Sequence, residues 1–208
     1  LIVNGGRKME LMNNNIAKLS GKISSDYRKY HSTLGEEFLI VDVDVERKSG
    51  EIDTLPVVVS EKLLDAEIKS AAYVSFEGQI RTFNKTDGSV ETYLFAKDAE
   101  VSEEGTFVNE VKLKGYLCKK GKHRTTYSGR KVIDFILAVN RPFNKSDYLA
   151  ILAWGKDSKY VFGKDISTKF EVTGRFQSRK YFKRDADGNK QERFAYEISS
   201  SQVIAVNK

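Results

Sequence analysis

Sliding the chain along itself by 94 residues aligns 15–59 with 109–153 without a gap, and this internal repeat constrains the fold more than any other feature. Nine of the 45 aligned positions are identical, among them Asn15/Asn109, Leu19/Leu113, Gly21/Gly115, Gly35/Gly129, Arg47/Arg141 and Asp53/Asp147. The glycines fall at equivalent places among strand-like runs. Further on Gly78 answers Gly174, and Asp87-Gly88 answers Asp187-Gly188 after a small insertion. Each repeat is long enough, at roughly 100 residues, to bury its own core.

The element order follows from local pattern. Val41, Val43 and Val45 share one face of a strand, with Asp42, Asp44 and Glu46 on the other. The counterpart Ile133–Val139 is more fully apolar, as in a strand covered on both sides. The two Asp-Gly pairs predict hairpin turns. Helical signal is sparse: Ser60–Ile68 has an N-cap serine and apolar Leu63, Leu64 and Ile68, and 155–162 is a weaker candidate in the matching place. Each half then reads strand, long strand, strand, short helix, strand, turn, strand. That is the order of an oligonucleotide-binding (OB) barrel. The expectation is an all-β chain of two tandem five-stranded OB-fold barrels, each with one short helix. Residues 1–14 are read as an N-terminal arm, partly an upstream addition, with Met9 or Met12 as the natural start. Residues 15–104 and 105–208 are the two barrels.

Charge separates the halves. Residues 1–105 carry 13 Lys+Arg and 19 Asp+Glu, a net −6, while 106–208 carry 22 and 10, a net +12. A polyanion is therefore expected as partner of the second half alone. The single cysteine, Cys118, excludes an internal disulfide and is expected as a small buried hydrophobe at a strand end. It fits a reducing, cytoplasmic setting. No apolar run reaches the ~18 residues of a membrane span.

Several short motifs of the second half resemble bacterial-type single-stranded DNA-binding proteins. They run in order through Asn109–Gly115, Arg124–Gly129, Phe135–Arg141, Trp154-Gly155-Lys156, Gly174–Tyr181 and Tyr196-Glu197-Ile198. The resemblance implies stacking aromatics at Phe143, Tyr148, Trp154 and Tyr181. Around them, Arg124, Arg130, Lys131, Lys156, Arg179, Lys180, Lys183 and Arg184 are expected to line a phosphate path. Stacking adds ~1–3 kcal/mol per base and tolerates any sequence, while cations release counterions. The competing reading places Tyr148 and Trp154 in the barrel core. Single-barrel members assemble as tetramers, so the resemblance also implies a homodimer with four barrels in all.

The first half holds Ser49, Thr54, Ser60 and Lys85 where the second has its four aromatics, and Glu36-Glu37 in place of Arg130-Lys131. It reads as a barrel without the binding face, serving as a protein-contact module or as a built-in second subunit; its acids also suit a plain solvated face. No enzyme constellation is present: His31 and His123 sit in expected loops without ligand spacing, so neither metal nor cofactor is expected. The leading expectation is sequence-tolerant binding of single-stranded DNA in replication, recombination or repair. The alternative is a primosome-like or replication-assembly protein that contacts replication or repair partners and binds nucleic acid weakly. This barrel type also accepts RNA.

Overall fold

The computed structural model describes residues 13–184 and 188–206. The first barrel comprises β1 (Asn15–Ile23), β2 (Arg28–Thr33), β3 (Glu36–Glu46), β4 (Ile52–Ser60), a 3-10 turn (Glu61–Leu63), α1 (Ala66–Ser70), β5 (Tyr73–Asn84) and β6 (Val90–Val101). The second comprises β7 (Val108–Lys120), β8 (Arg124–Thr125), β9 (Lys131–Arg141), β10 (Lys145–Trp154), α2 (Gly155–Phe162), β11 (Lys169–Arg184) and β12 (Lys190–Ala205). Each half has one more strand than expected: β2, in a stretch read as loop, pairs with β3, and β8 pairs with β9 in the same way.

Closure follows the OB order. β1 pairs antiparallel with both β3 and β5, β3 with β4, and β5 with β6. A short parallel contact, Val57 with Leu94 and Val58 with Phe95, closes the barrel. The second barrel repeats every pairing, with Ile151–Ile198 and Leu152–Ser199 as its closing contact. Gly78 and Gly174 sit at matching bulges, where a Cβ would meet the carbonyl oxygen of Phe95 at 2.0 Å and of Ser199 at 2.3 Å. Only glycine allows that approach. Asn15 and Asn109 bridge the same bulges, each bonding both the N–H and the C=O of one residue, Ile80 and Phe176.

Several expectations are corrected. Ser60 does cap, accepting from the Lys62 N–H, but only a 3-10 turn follows, and Asp65 then caps the five-residue α1 through the Ile68 N–H. Two competing caps five residues apart split one helix into two pieces. The stretch 155–162, the weaker candidate, forms the longer helix. Cys118 is exposed rather than buried, because the β7–β9 register slips between Leu117 and Lys119 and turns the bulged residue outward. His31 lies in a strand and stacks flat on Phe38, with ring centroids 4.8 Å apart. On β9 the inward residues are buried, but Ile136 and Ala138 are only half-covered. Gly88 has the positive φ expected at its turn, while Asp187 and residues 1–12 of the arm lie outside the described residues.

The barrels join back to back. β1 and β7 pair antiparallel from Asn15–Leu113 to Ser20–Val108, and Ala17, Leu19, Val111 and Leu113 merge the two cores into one cluster. Two clasps flank this seam, each reaching from one barrel to the other's β-hairpin. Asp53 takes the Nε and Nη2 of Arg47, both at 2.6 Å, and accepts the Ser178 N–H at 2.8 Å. Asp147 accepts the Thr82 N–H at 2.8 Å, with Arg141 further away at 3.4 Å.

Candidate nucleic-acid interface

Alternation decides which side chains can share a surface. On β10 the outward set is Tyr148, Ala150, Leu152 and Trp154; the inward set includes the buried Leu149 and Ile151. Tyr148 and Trp154 are six residues apart on one face, roughly 20 Å at a strand's rise. Phe143 lies beyond Tyr148 at the β9–β10 turn, 94% exposed, with a φ of 62°. A bulky residue in the left-handed region carries about 1–2 kcal/mol of strain. Nothing packs on its ring to offset that, and the ring stands fully available to a ligand.

Trp154 is half-buried, not a core residue. Its Nε1–H donates to Ser199 Oγ at 3.0 Å, and the Arg130 guanidinium lies 5.0 Å from its ring centroid. Arg124 sits opposite Val132, which sits opposite Trp154, so all three lie on one face of the sheet, with Val132 covered and Arg124 paired with Asp134. Burial of the indole, a hydrogen bond and a cation over the ring hold it rigid.

The same surface continues across β12 to β11 through Ser199 and Glu197, opposite Arg175 and Gln177. Further along β11, Arg179, Tyr181 and Lys183 point the same way. β11 runs antiparallel to β10 here, so Tyr181 and Tyr148 lie in the same direction from Trp154, on two diverging hairpin arms. Lys180 and Arg184 face the opposite side of the hairpin. Lys180 pairs with Glu192 and lies near the Phe194 ring, and Arg184 donates to the Gly188 carbonyl. Lys131 likewise alternates away from Arg130 and bonds Thr125. Lys156 is exposed in the first turn of α2, beside Trp154. Nine of the twelve candidates thus gather on or beside one surface, and Lys131, Lys180 and Arg184 do not.

Two groups escaped the sequence reading. Glu197 lies buried within this surface, bonded by Gln177 and 3.5 Å from Arg179 Nε, so one carboxylate there is already neutralised. Arg175 beside it is half-buried; burial first, then the nearby Arg47 charge, draws its guanidinium below the usual arginine range. The first barrel's equivalent surface is not bare either. It carries Phe38, Tyr93 and Phe95 in a small second core capped by Tyr30, whose hydroxyl donates to Glu91 at 2.8 Å. These rings pack on each other. Its acids are engaged too: Asp42 pairs with Arg28, and Asp44 accepts from Ser24 and Thr54.

His123 meets Ser158 at 2.9 Å, a pairing that could pass for an activated nucleophile. Ser158 is fully buried and donates its proton to the Gly155 carbonyl, so His123 is its donor rather than its base. Among the described residues no helix is long and apolar enough to cross a membrane.

Comparison with known proteins agrees with this geometry. Two crystal structures of the single-stranded DNA binding protein from Thermus aquaticus superpose with a TM-score of 0.71. The deletion mutant shares 18% identity over 93% of this chain and 95% of its own; the wild type shares 17% over 93% of each. At that identity the likeness establishes the tandem-barrel fold. The N-terminal domain of PriB protein from Thermoanaerobacter tencongensis aligns at 30% identity over 44% of this chain and 100% of its own, with a TM-score of 0.40. A comparison with curated proteins gave no match. Residues 108–206, the half that carries the outer surface just described, match the model of the single-strand binding protein family.

Proposed function

We propose that the chain binds single-stranded DNA without sequence preference, on the outer surface of its second barrel. Trp154 is the central platform, Tyr148 and Phe143 continue the path along one arm, and Tyr181 along the other. Arg124, Arg130, Lys156, Arg179 and Lys183 neutralise phosphates beside them. The observation that carries the reading is the placement of three exposed aromatics and the half-buried Trp154 on one cation-lined surface. A core role would bury those rings; a surface without function would not hold Phe143 strained and bare. The first barrel acts as a covalently attached second subunit. It supplies β1 and the Asp53 clasp that fix the β11–β12 arm, while its own aromatic face is filled by Tyr30. Binding of this kind serves replication, recombination or repair without chemistry of its own.

Trp154 is the sole tryptophan of the chain, so its fluorescence reports the platform directly. Titration with dT oligomers at several salt concentrations should quench it, with affinity falling as salt rises by about 0.7 log units per decade for each phosphate contact. Duplex DNA should quench it far less. Unchanged emission on a saturating dT oligomer, or equal binding of duplex, refutes the assignment. A pair of two-barrel chains would reach four barrels in all, and sedimentation at rising salt reads that stoichiometry.

A further inference from the structure

We propose that the exposed side of α2 and the segment before β8 form a second contact for single-stranded nucleic acid, one that carries the strand onward from Trp154. The inference rests on reading Trp154 as a stacking platform. Phe162, the last residue of α2, is 54% exposed. Its ring is stacked with His123, centroids 5.5 Å apart and planes 26° from parallel. Lys120 Nζ lies 5.9 Å from the ring centroid and bonds the Phe162 carbonyl, fixing the ring's backbone at the helix end.

Lysines outnumber acids on the segments that carry this ring pair, with Asp157 and Asp165 the two acids of 155–165. Lys119, Lys122, Lys156 and Lys159 are exposed and have no ion-pair partner among the described residues. The one acid of the helix, Asp157, is turned into the fold, where it accepts the Val203 N–H at 3.0 Å. The corresponding stretch of the first barrel is an internal control. Residues 61–70 carry Glu61, Asp65 and Glu67, and Ile68, at the offset of Phe162, is buried. The two stretches thus differ: residues 61–70, with Lys62 and Lys69 beside the three acids, expose no large apolar side chain, whereas α2 exposes Phe162.

The patch is continuous with the platform. His123 directly precedes Arg124, which lies two strands from Trp154, roughly 10 Å at the usual strand spacing. From the other side, α2 starts at the residue after Trp154 and its eight residues span about 12 Å. An aromatic pair on lysine-rich segments, one helix length from a stacking tryptophan, matches a strand that stacks bases and needs cations beside its phosphates. A partner peptide of acidic character would be drawn by the lysines but has no use for the stacked rings or for continuity with Trp154.

The test uses the full chain and labelled dT oligomers of about 8 and about 16 nucleotides, both within the site sizes of one such barrel, read by anisotropy. Phe162→Ala should weaken the longer oligomer about five-fold or more while leaving the shorter one, and its quenching of Trp154, unchanged. Phe162→Tyr should restore the parent affinity. A Lys122→Gln/Lys159→Gln pair should make the salt slope for the longer oligomer shallower by about 1.4. Circular dichroism of each variant controls for folding. Parent-like affinity and slope for the longer oligomer in both variants overturn the inference. Trp154→Ala separates the two readings. Loss there with none in Phe162→Ala removes the α2 contact and keeps the platform; loss in Phe162→Ala with none in Trp154→Ala removes the platform and keeps the α2 contact. Binding of a polyglutamate peptide that Phe162→Ala abolishes, with the longer oligomer untouched, makes the patch a peptide site and likewise overturns the proposal.

Discussion

The two clasps between the barrels occupy equivalent places yet should differ in worth, and substituting each aspartate by alanine measures the difference. Asp53 is 1% exposed and receives two guanidinium bonds at 2.6 Å plus the Ser178 N–H at 2.8 Å. Removing one partner of such a buried pair costs about 3–5 kcal/mol, because the other charge is left without compensation. Arg47 is about one-fifth exposed and retains Glu51 at 2.9 Å, so Asp53→Ala belongs at the low end, about 3 kcal/mol. Asp147 is as deeply buried, but Arg141 reaches it only at 3.4 Å, and its Oδ2 has no partner among the described residues. Its burial cost is already poorly offset. Asp147→Ala therefore loses chiefly the Thr82 bonds, about 1 kcal/mol net. For a chain of this length each kcal/mol moves Tm by about 2–4 °C, so the shifts should be about 6–12 °C against about 2–4 °C. Urea unfolding should show the same ranking as a lower midpoint at an unchanged m-value. Equal shifts, or a larger one at Asp147, would refute the reasoning that pair geometry rather than burial sets the cost.

Three further outcomes follow from the surface and the hydrogen bonds described. Trp154→Ala and Phe143→Ala should each weaken single-strand binding by about 1–3 kcal/mol with the fold intact, and folded variants that bind like the parent would remove both rings from the path. Arg130→Gln should make the salt slope shallower by about 0.7, whereas Arg28→Gln and Lys29→Gln on the first barrel should leave affinity and slope alone; a matching loss at Arg28 or Lys29 would assign DNA to both barrels. Burial, then the bond to Glu91, holds the Tyr30 phenol well above the ordinary tyrosine range. The unfolded chain therefore ionises first, so stability is full below pH about 10 and falls as pH rises beyond it. Tyr30→Phe should flatten that decline in urea midpoints measured from neutral to alkaline pH, and parallel curves would show that Tyr30 contributes none of it.

How much of this was legible in the sequence depends on where the deciding contact lies. The barrel order was legible because period-two runs, Asp-Gly turns and repeated glycines are local signals. The helices were read in the wrong order of strength, since a good cap at Ser60 says nothing of a rival at Asp65. Cys118 was misplaced because a bulge slips the alternation by one, and no residue type announces it. Comparing the halves at four aromatic positions made the first barrel look bare. Tyr30, Phe38, Tyr93 and Phe95 come together only through the pairing of β2, β3 and β6 around the barrel, which no single offset displays.

The nine repeated identities turn out to mark architecture rather than binding. Leu19/Leu113, Val45/Val139 and Leu55/Leu149 are core, and Asn15/Asn109 bridge the bulges. Gly21/Gly115 allow a neighbouring carbonyl within 2.5 Å of a Cβ position, and Gly35/Gly129 take the positive φ of a turn. Arg47/Arg141 and Asp53/Asp147 form the clasps, and Lys18/Lys112 stay near the surface without such a role. Everything proposed to touch nucleic acid lies instead where the halves differ: Trp154 against Ser60, Phe143 against Ser49, Tyr148 against Thr54, Phe162 against Ile68. A repeated fold with one divergent outer surface per copy separates the two demands cleanly. What the copies share must hold the barrels closed and joined, and what the second copy alone carries, aromatics and cations on one outer surface, is where the proposed ligand is expected to bind.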